Sequence, residues 1–151
     1  LTSYPDTSFL FRLYDTELES AKAINYISTL NTSLVLCGLQ HFEFTQAIRL
    51  RMFRYNSDRK EGLSRSIGTK ILNEFSNDLH KNFFRFITAD FNEILKFSET
   101  ISARHTRENG YRSLDILHVA AALHIGATDF LTFDKSQAVL AKAEGLATPM
   151  Q

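Results

Sequence analysis

One cysteine, two prolines, six glycines and no tryptophan in 151 residues exclude several kinds of protein. A lone cysteine rules out an intrachain disulfide, and Cys37 ends the apolar run Leu34-Val35-Leu36, where it reads as a buried strand thiol. That fits a reducing cytoplasm. No Pro/Gly/Ser-rich stretch offers a linker, so residues 1–151 read as one domain with enough hydrophobic content, 44%, for a sizeable core. No apolar run approaches the roughly 18 residues that cross a bilayer, and the opening lacks the basic-then-apolar layout of a signal peptide, so the expectation is a protein without a membrane partner. The sequence opens on Leu1 rather than Met, which suggests a trimmed N-terminus. Histidine and cysteine at zinc-site spacing are missing. An excess of either charge is missing too: Lys plus Arg and Asp plus Glu are 17 each, so the whole molecule has no strong attractive field for nucleic acid.

The average hides a local bias. Arg49, Arg51, Arg54, Arg59, Lys60, Arg65 and Lys70 face only Asp58 and Glu61 across residues 49–70, a surplus of five positive charges. A basic helix face of this kind tracks phosphates or is a solvated surface, and charge alone does not separate the two.

What is present alternates between strand and helix. A short opening strand, residues 1–6, leads to a helical face of Phe9, Leu10, Leu13 and Tyr14. Asp15 or Thr16, with Glu19 completing a capping box, starts a second helix with Leu18, Ala21, Ile24, Ile27 and Leu30 at helical spacing. Ser33 to Cys37 is a buried strand broken by Gly38; Leu39 to Tyr55 is a helix; residues 57–81 are polar helix loosened by Gly62 and Gly68. Phe84 to Thr88 has strand composition, and Asp90 with Glu93 caps a helix carrying Phe91, Ile94, Leu95 and Ile101. Ser113 caps the apolar helix Leu114 to Ile125, ended by Gly126. A strand Asp129 to Phe133, a short helix Ser136 to Glu144 and a last edge strand Leu146 to Pro149 follow. The sum is a three-layer α/β/α domain around a central, mostly parallel sheet of about five strands.

Four acids stand where a strand ends or a helix begins: Asp6, Glu43, Asp115 and Asp134. In an open parallel sheet, chemistry gathers at the carboxyl ends of the strands, so residues far apart in sequence can meet there. Two carboxylates about 4 Å apart repel by roughly 4 kcal/mol at an effective dielectric near 20, which makes such a cluster costly unless a cation or proton joins it. Singly, Asp6 and Asp134 also read as turn or helix caps, and Glu43 as an ordinary surface acid between two phenylalanines. Asp115 lies in the first turn of a strongly apolar helix, where an anion is favoured but burial demands a partner. Asp90 and Asp129 are set aside, the first as a cap and the second because it lies at the opposite end of its strand. His118 and Arg112 each stand three residues from Asp115: the histidine reads as a satisfied core residue or a contact to RNA or water, the arginine as a phosphate contact or an ion-pair partner. Pro5 offers no backbone donor, so the first strand must end or bend there.

The stretch Arg112-Ser113-Leu114-Asp115-Ile116-Leu117-His118, followed by Gly126 through Thr132-Phe133-Asp134, resembles the C-terminal half of PIN domains, in particular the VapC-type toxin ribonucleases. Asp6-Thr7-Ser8 looks like the first motif of that family, and Glu43 matches its acid on the helix after the second strand. The resemblance implies a Mg²⁺- or Mn²⁺-dependent endoribonuclease, with Asp6 and Asp115 as direct ligands, Glu43 and Asp134 completing the pocket, and Ser8 and Thr132 as supporting hydroxyls. Hard dications prefer such oxygen donors. Arg112, His118, Arg49, Arg51 and Arg54 are candidate RNA contacts. The family likeness also implies a homodimer and a cognate antitoxin seated on apolar helices, here along Phe9, Phe11, Leu13, Phe42 and Phe53, although core packing explains most phenylalanines equally well. Two other classes remain: a non-catalytic PIN-like module that binds RNA or protein, and aspartyl phosphotransfer on Asp6. Against the second, Ser8 stands where haloacid-dehalogenase-like enzymes carry an acid.

Overall fold

A computed structural model describes residues 2–14, 18–30 and 33–151, with only the backbone of residues 18–20. The elements run β1 (Ser3–Pro5), α1 (Thr7–Tyr14), α2 (Leu18–Thr29), β2 (Leu34–Leu36), α3 (Gly38–Arg54), α4 (Arg65–His80), β3 (Phe84–Phe86), α5 (Phe91–Asn109), α6 (Ser113–His124), β4 (Asp129–Leu131) and α7 (Lys135–Ala143). All strand pairs are parallel, in the order β3-β2-β1-β4. Strand side chains alternate between two cores: Tyr4 and Phe130 pack with α5, α6 and α7, whereas Leu34, Leu36, Phe84 and Leu131 pack with α1, α3 and α4. Period-two alternation thus puts an apolar face on each side of the sheet, and helices cover both.

Among the described residues four strands form instead of five. Leu146 to Pro149 contributes a single bridge, Ala147 to Asp129, with Phe130 N–H donating to Ala147 O at 2.7 Å. Leu146 packs into one core and Met150 into the other, so the segment crosses the edge of β4 rather than running along it.

Helix faces differ from their expected stripes in places. On α2 the buried side is Ala23 with Tyr26, Ile27 and Leu30, leaving Ala21 and Ile24 exposed. On α5 it is Ile94, Ser98 and Ile101, with Phe91 and Leu95 in solvent. The anticipated cap on Asp15 or Thr16 lies outside the described residues. Arg112, not Ser113, is the N-cap of α6. Residues 57–64 precede α4 instead of belonging to it, and Gly68 sits buried inside that helix, where a Cβ would come within 2.4 Å of the Met52 side chain. Its role is close approach of α3 and α4, not looseness.

Pro5 stays in β1, pairing with Leu131, and Gln40 makes this tolerable. With no N–H on Pro5, the β1–β2 ladder lacks a donor. The buried Gln40 amide takes its place: Nε2 donates to Pro5 O (2.7 Å) and Val35 O (3.2 Å), and Oε1 accepts Cys37 N–H at 2.7 Å.

Candidate active site

The chain leaves β1 directly into Asp6, whose N–H still bonds Leu131 O at 2.9 Å. Its carboxylate turns back to start α1, Oδ1 accepting Phe9 N–H (2.8 Å) and the Ser8 hydroxyl (2.7 Å). Asp6 is only 2% exposed. Burial raises its pKa to about 6, partly countered by bonds from Thr132, Phe9 and Ser8. The fold therefore holds an acid whose negative charge is poorly compensated.

Ser8 and Thr132 tie the ends of β1 and β4 together. Ser8 Oγ accepts Phe133 N–H at 2.9 Å and lies 3.2 Å from Thr132 Oγ1, which accepts Asp134 N–H at 3.0 Å. Asp134 caps α7, Oδ1 accepting Gln137 N–H at 3.0 Å. Asp115, in the first turn of α6, accepts from Arg112 Nε (3.1 Å), Nη2 (3.4 Å) and backbone N–H (3.3 Å). The arginine side chain is 79% exposed and the aspartate's 16%, so the arginine is held by Asp115 on one side and by water on the other.

Glu43 comes from α3, and His118 lies one turn after Asp115 on α6. The Thr7 hydroxyl donates to Glu43 Oε2, and His118 Nε2 lies 2.5 Å from the same oxygen. Burial pushes the Glu43 pKa up, but these bonds and the charge of its neighbours more than offset it, leaving the carboxyl below its ordinary range. His118 Nδ1 lies 2.9 Å from the Tyr4 hydroxyl, which burial keeps from ionising. A Glu43 carboxylate can only accept, so Nε2 carries the proton of this bond, while Nδ1 meets the Tyr4 hydroxyl. His118 is buried, as a core histidine would be, yet its far nitrogen holds a pocket acid in place.

All four acids line one hollow of about 130 Å³, together with Thr7, Ser8, Arg112, His118 and Gln137. A larger hollow of about 580 Å³ adjoins it, sharing Thr7, Ser8 and Asp134 and reaching Arg51. Arg49 and Arg54 are exposed on α3 and line neither. Of the expected apolar groove, Phe9 is core and Phe11 and Leu13 are half-buried, while Phe42 and Phe53 stand 65% and 82% exposed on one face of α3.

Sequence reasoning missed Thr7 and Gln137, each adjacent to or three residues from a chosen acid, and Gln40, for which proline in an inner strand was the available signal. Among the described residues, no three His, Cys, Asp or Glu side chains converge closely enough to enclose an ion as they stand. Each acid is instead bonded to protein: Glu43 to Thr7 and His118, Asp115 to Arg112, Asp134 to Gln137, Asp6 to Ser8 and Phe9. The donor set still fits a hard dication: it is carboxylate and hydroxyl oxygen, the one histidine is turned to Glu43, and burial leaves the charge of Asp6 poorly compensated.

No family model matches the chain, nor does any curated protein sequence. Among solved structures it is similar to FitAcB from Neisseria gonorrhoeae, with a TM-score of 0.66 and 14% identity over 97% of this chain and 95% of that one. At that identity the likeness is one of fold, and the fold of this chain is PIN-like, a parallel four-stranded α/β/α domain.

Proposed function

We propose that this protein is a Mg²⁺- or Mn²⁺-dependent endoribonuclease of the VapC type, the toxin of a toxin–antitoxin pair, acting as a homodimer and held inactive by its antitoxin. One observation carries the reading: Asp6 and Asp134, at the exits of β1 and β4, and Glu43 and Asp115, on α3 and α6, line a single hollow. Its position in a PIN-like fold adds support. When bound, such an ion acidifies a hydrolytic water and supplies countercharge to the phosphate. Asp6 and Asp115 hold it, and Asp134 and Glu43 complete the oxygen set. Ser8 fixes the Asp6 carboxylate, while His118 and Thr7 fix Glu43. Arg112 exchanges Asp115 for an RNA phosphate, a change its exposure makes cheap.

Single-stranded RNA incubated with the purified protein is cut in Mg²⁺ or Mn²⁺. EDTA stops the cut, and Asp115→Asn lowers the rate by at least about 100-fold, since even residues that only support metal ligands are worth 10–100-fold. Cleavage surviving both EDTA and Asp115→Asn overturns the assignment. The engagement of every acid by protein partners favours one other reading, a non-catalytic PIN-like module that binds RNA or protein. RNA binding with neither cleavage nor a response to Mn²⁺ would select it.

A further inference from the structure

We propose that the larger hollow is a stacking subsite for one nucleobase of a single-stranded RNA, next to the phosphate that enters the acidic pocket. This rests on the nuclease reading for its substrate class and goes beyond it in naming where a base is held.

The placement follows from α1. Thr7 and Ser8 on its first turn border the acids, and Phe11 and Arg12, four residues on, border the larger hollow one helical turn away, about 5.4 Å. A strand threaded through the acidic pocket therefore has its neighbouring nucleotide at the hollow. At about 580 Å³ the hollow lies in the range of small-molecule sites and has room for a nucleobase.

The lining chemistry selects a base over a phosphate. The Arg51 guanidinium lies over the Phe11 ring, 3.9 Å from its centroid, and both groups line the hollow. A planar cation beside an aromatic ring is the pairing on which unstacked RNA bases lie. Phe133 forms another wall, its ring stacked on the core residue Phe9 at 6.0 Å and 15°. Both Phe11 and Phe133 are half-buried, anchored in the protein with part of each ring in solvent. Glu61 and Asp134 balance Arg12 and Arg51 around the same space, so the hollow has no net positive charge to draw in a phosphate, whereas its aromatic and guanidinium faces suit a base.

Binding of a short single-stranded RNA carrying 2-aminopurine is measured by fluorescence at fixed salt in EDTA, so that cleavage plays no part. Stacking quenches the probe on saturation. Arg51→Lys, which keeps the charge but loses the plane, weakens binding by about tenfold, the scale of one stacked base. Arg51→Ala does the same. Replacing the base by an abasic nucleotide weakens wild-type binding by a similar factor and costs Arg51→Lys nothing further. Matching melting temperatures establish that the variants are folded. Wild-type affinity in Arg51→Lys, equal affinity for abasic RNA, or no RNA binding at all overturns the subsite. If these binding differences appear but Mg²⁺ yields no cleavage, the nuclease assignment fails and the subsite stands.

Discussion

Asp6 is an almost wholly buried acid at the edge of the hollow, held by hydrogen bonds that only partly offset the cost of burying its charge. Its pKa, raised to about 6 by burial from an ordinary 3.8, means the folded state prefers the protonated form. The stability Asp6 confers is therefore fully present below about pH 3.8 and is lost as pH rises through 6. The difference amounts to something on the order of 3 kcal/mol. In chelator, Asp6→Asn is expected to be more stable than wild type above pH 6 by up to this amount, because Asn Oδ1 still accepts the Ser8 and Phe9 bonds. The advantage vanishes near pH 4. Urea unfolding across pH 4–8 measures it, and an unchanged difference over that range would remove the electrostatic account. The identity of this acid was legible in the Asp-Thr-Ser run and its position before a helix. The support for Glu43 was not: Tyr4 and His118 are 114 residues apart, and only the packing of α6 against β1 brings them to 2.9 Å.

Gln40 and Gly68 do their work between elements. Gln40 supplies to the β1–β2 seam the hydrogen bonds that Pro5 cannot make. Gln40→Leu leaves Cys37 N–H, Pro5 O and Val35 O buried without partners, at about 1–3 kcal/mol each when unrelieved. A loss of at least about 3 kcal/mol in equilibrium unfolding is expected, with Gln40→Glu intermediate because it keeps the acceptor. Gly68 sits where α4 crosses Met52 of α3. Gly68→Val should cost about 1–3 kcal/mol by overpacking, and Met52→Ala in the same chain should recover part of it. The alternation of strand and helix was readable because apolar runs and caps are local signals: Asp90 capping α5 through Asn92 and Glu93 is one. The purpose of Gly68 was not readable. A glycine in a helix looks the same in sequence whether it loosens the turn or admits a neighbour. The fifth strand failed for a similar reason, since Leu146 to Pro149 has strand composition while Leu146 and Met150 are drawn into opposite cores.

At the scale of the molecule, the carboxylates of four elements share one small hollow while the total charge is zero. A dication placed there links α1, α3, α6 and α7. Mn²⁺ at about 100 times its dissociation constant adds about 2.7 kcal/mol to the folded state, a rise of roughly 5–10 °C in melting temperature for a domain of this size. Asp6→Asn should abolish most of the shift, and differential scanning calorimetry reads both. No change on adding Mn²⁺ or Mg²⁺ would favour the non-catalytic module. The convergence of the acids was accessible before any coordinates, because a parallel sheet sends every strand's carboxyl end to one side. Of their protein partners, the Arg112–Asp115 ion pair was one of two readings that the three-residue spacing allowed, whereas the bond of Glu43 to His118 depends on packing between helices far apart in sequence.

The strand order places β1 directly beside β4, pairing Ser3 with Asp129 across most of the intervening sequence. On the ribosome, Asp6 emerges early and waits for Leu131 and Asp134 to be made, roughly 6–25 s at ordinary bacterial-to-eukaryotic elongation speeds. Until then a nascent chain carries Asp6, Glu43 and Asp115 without the strand that aligns them, and the hollow closes only once β4 has paired with β1.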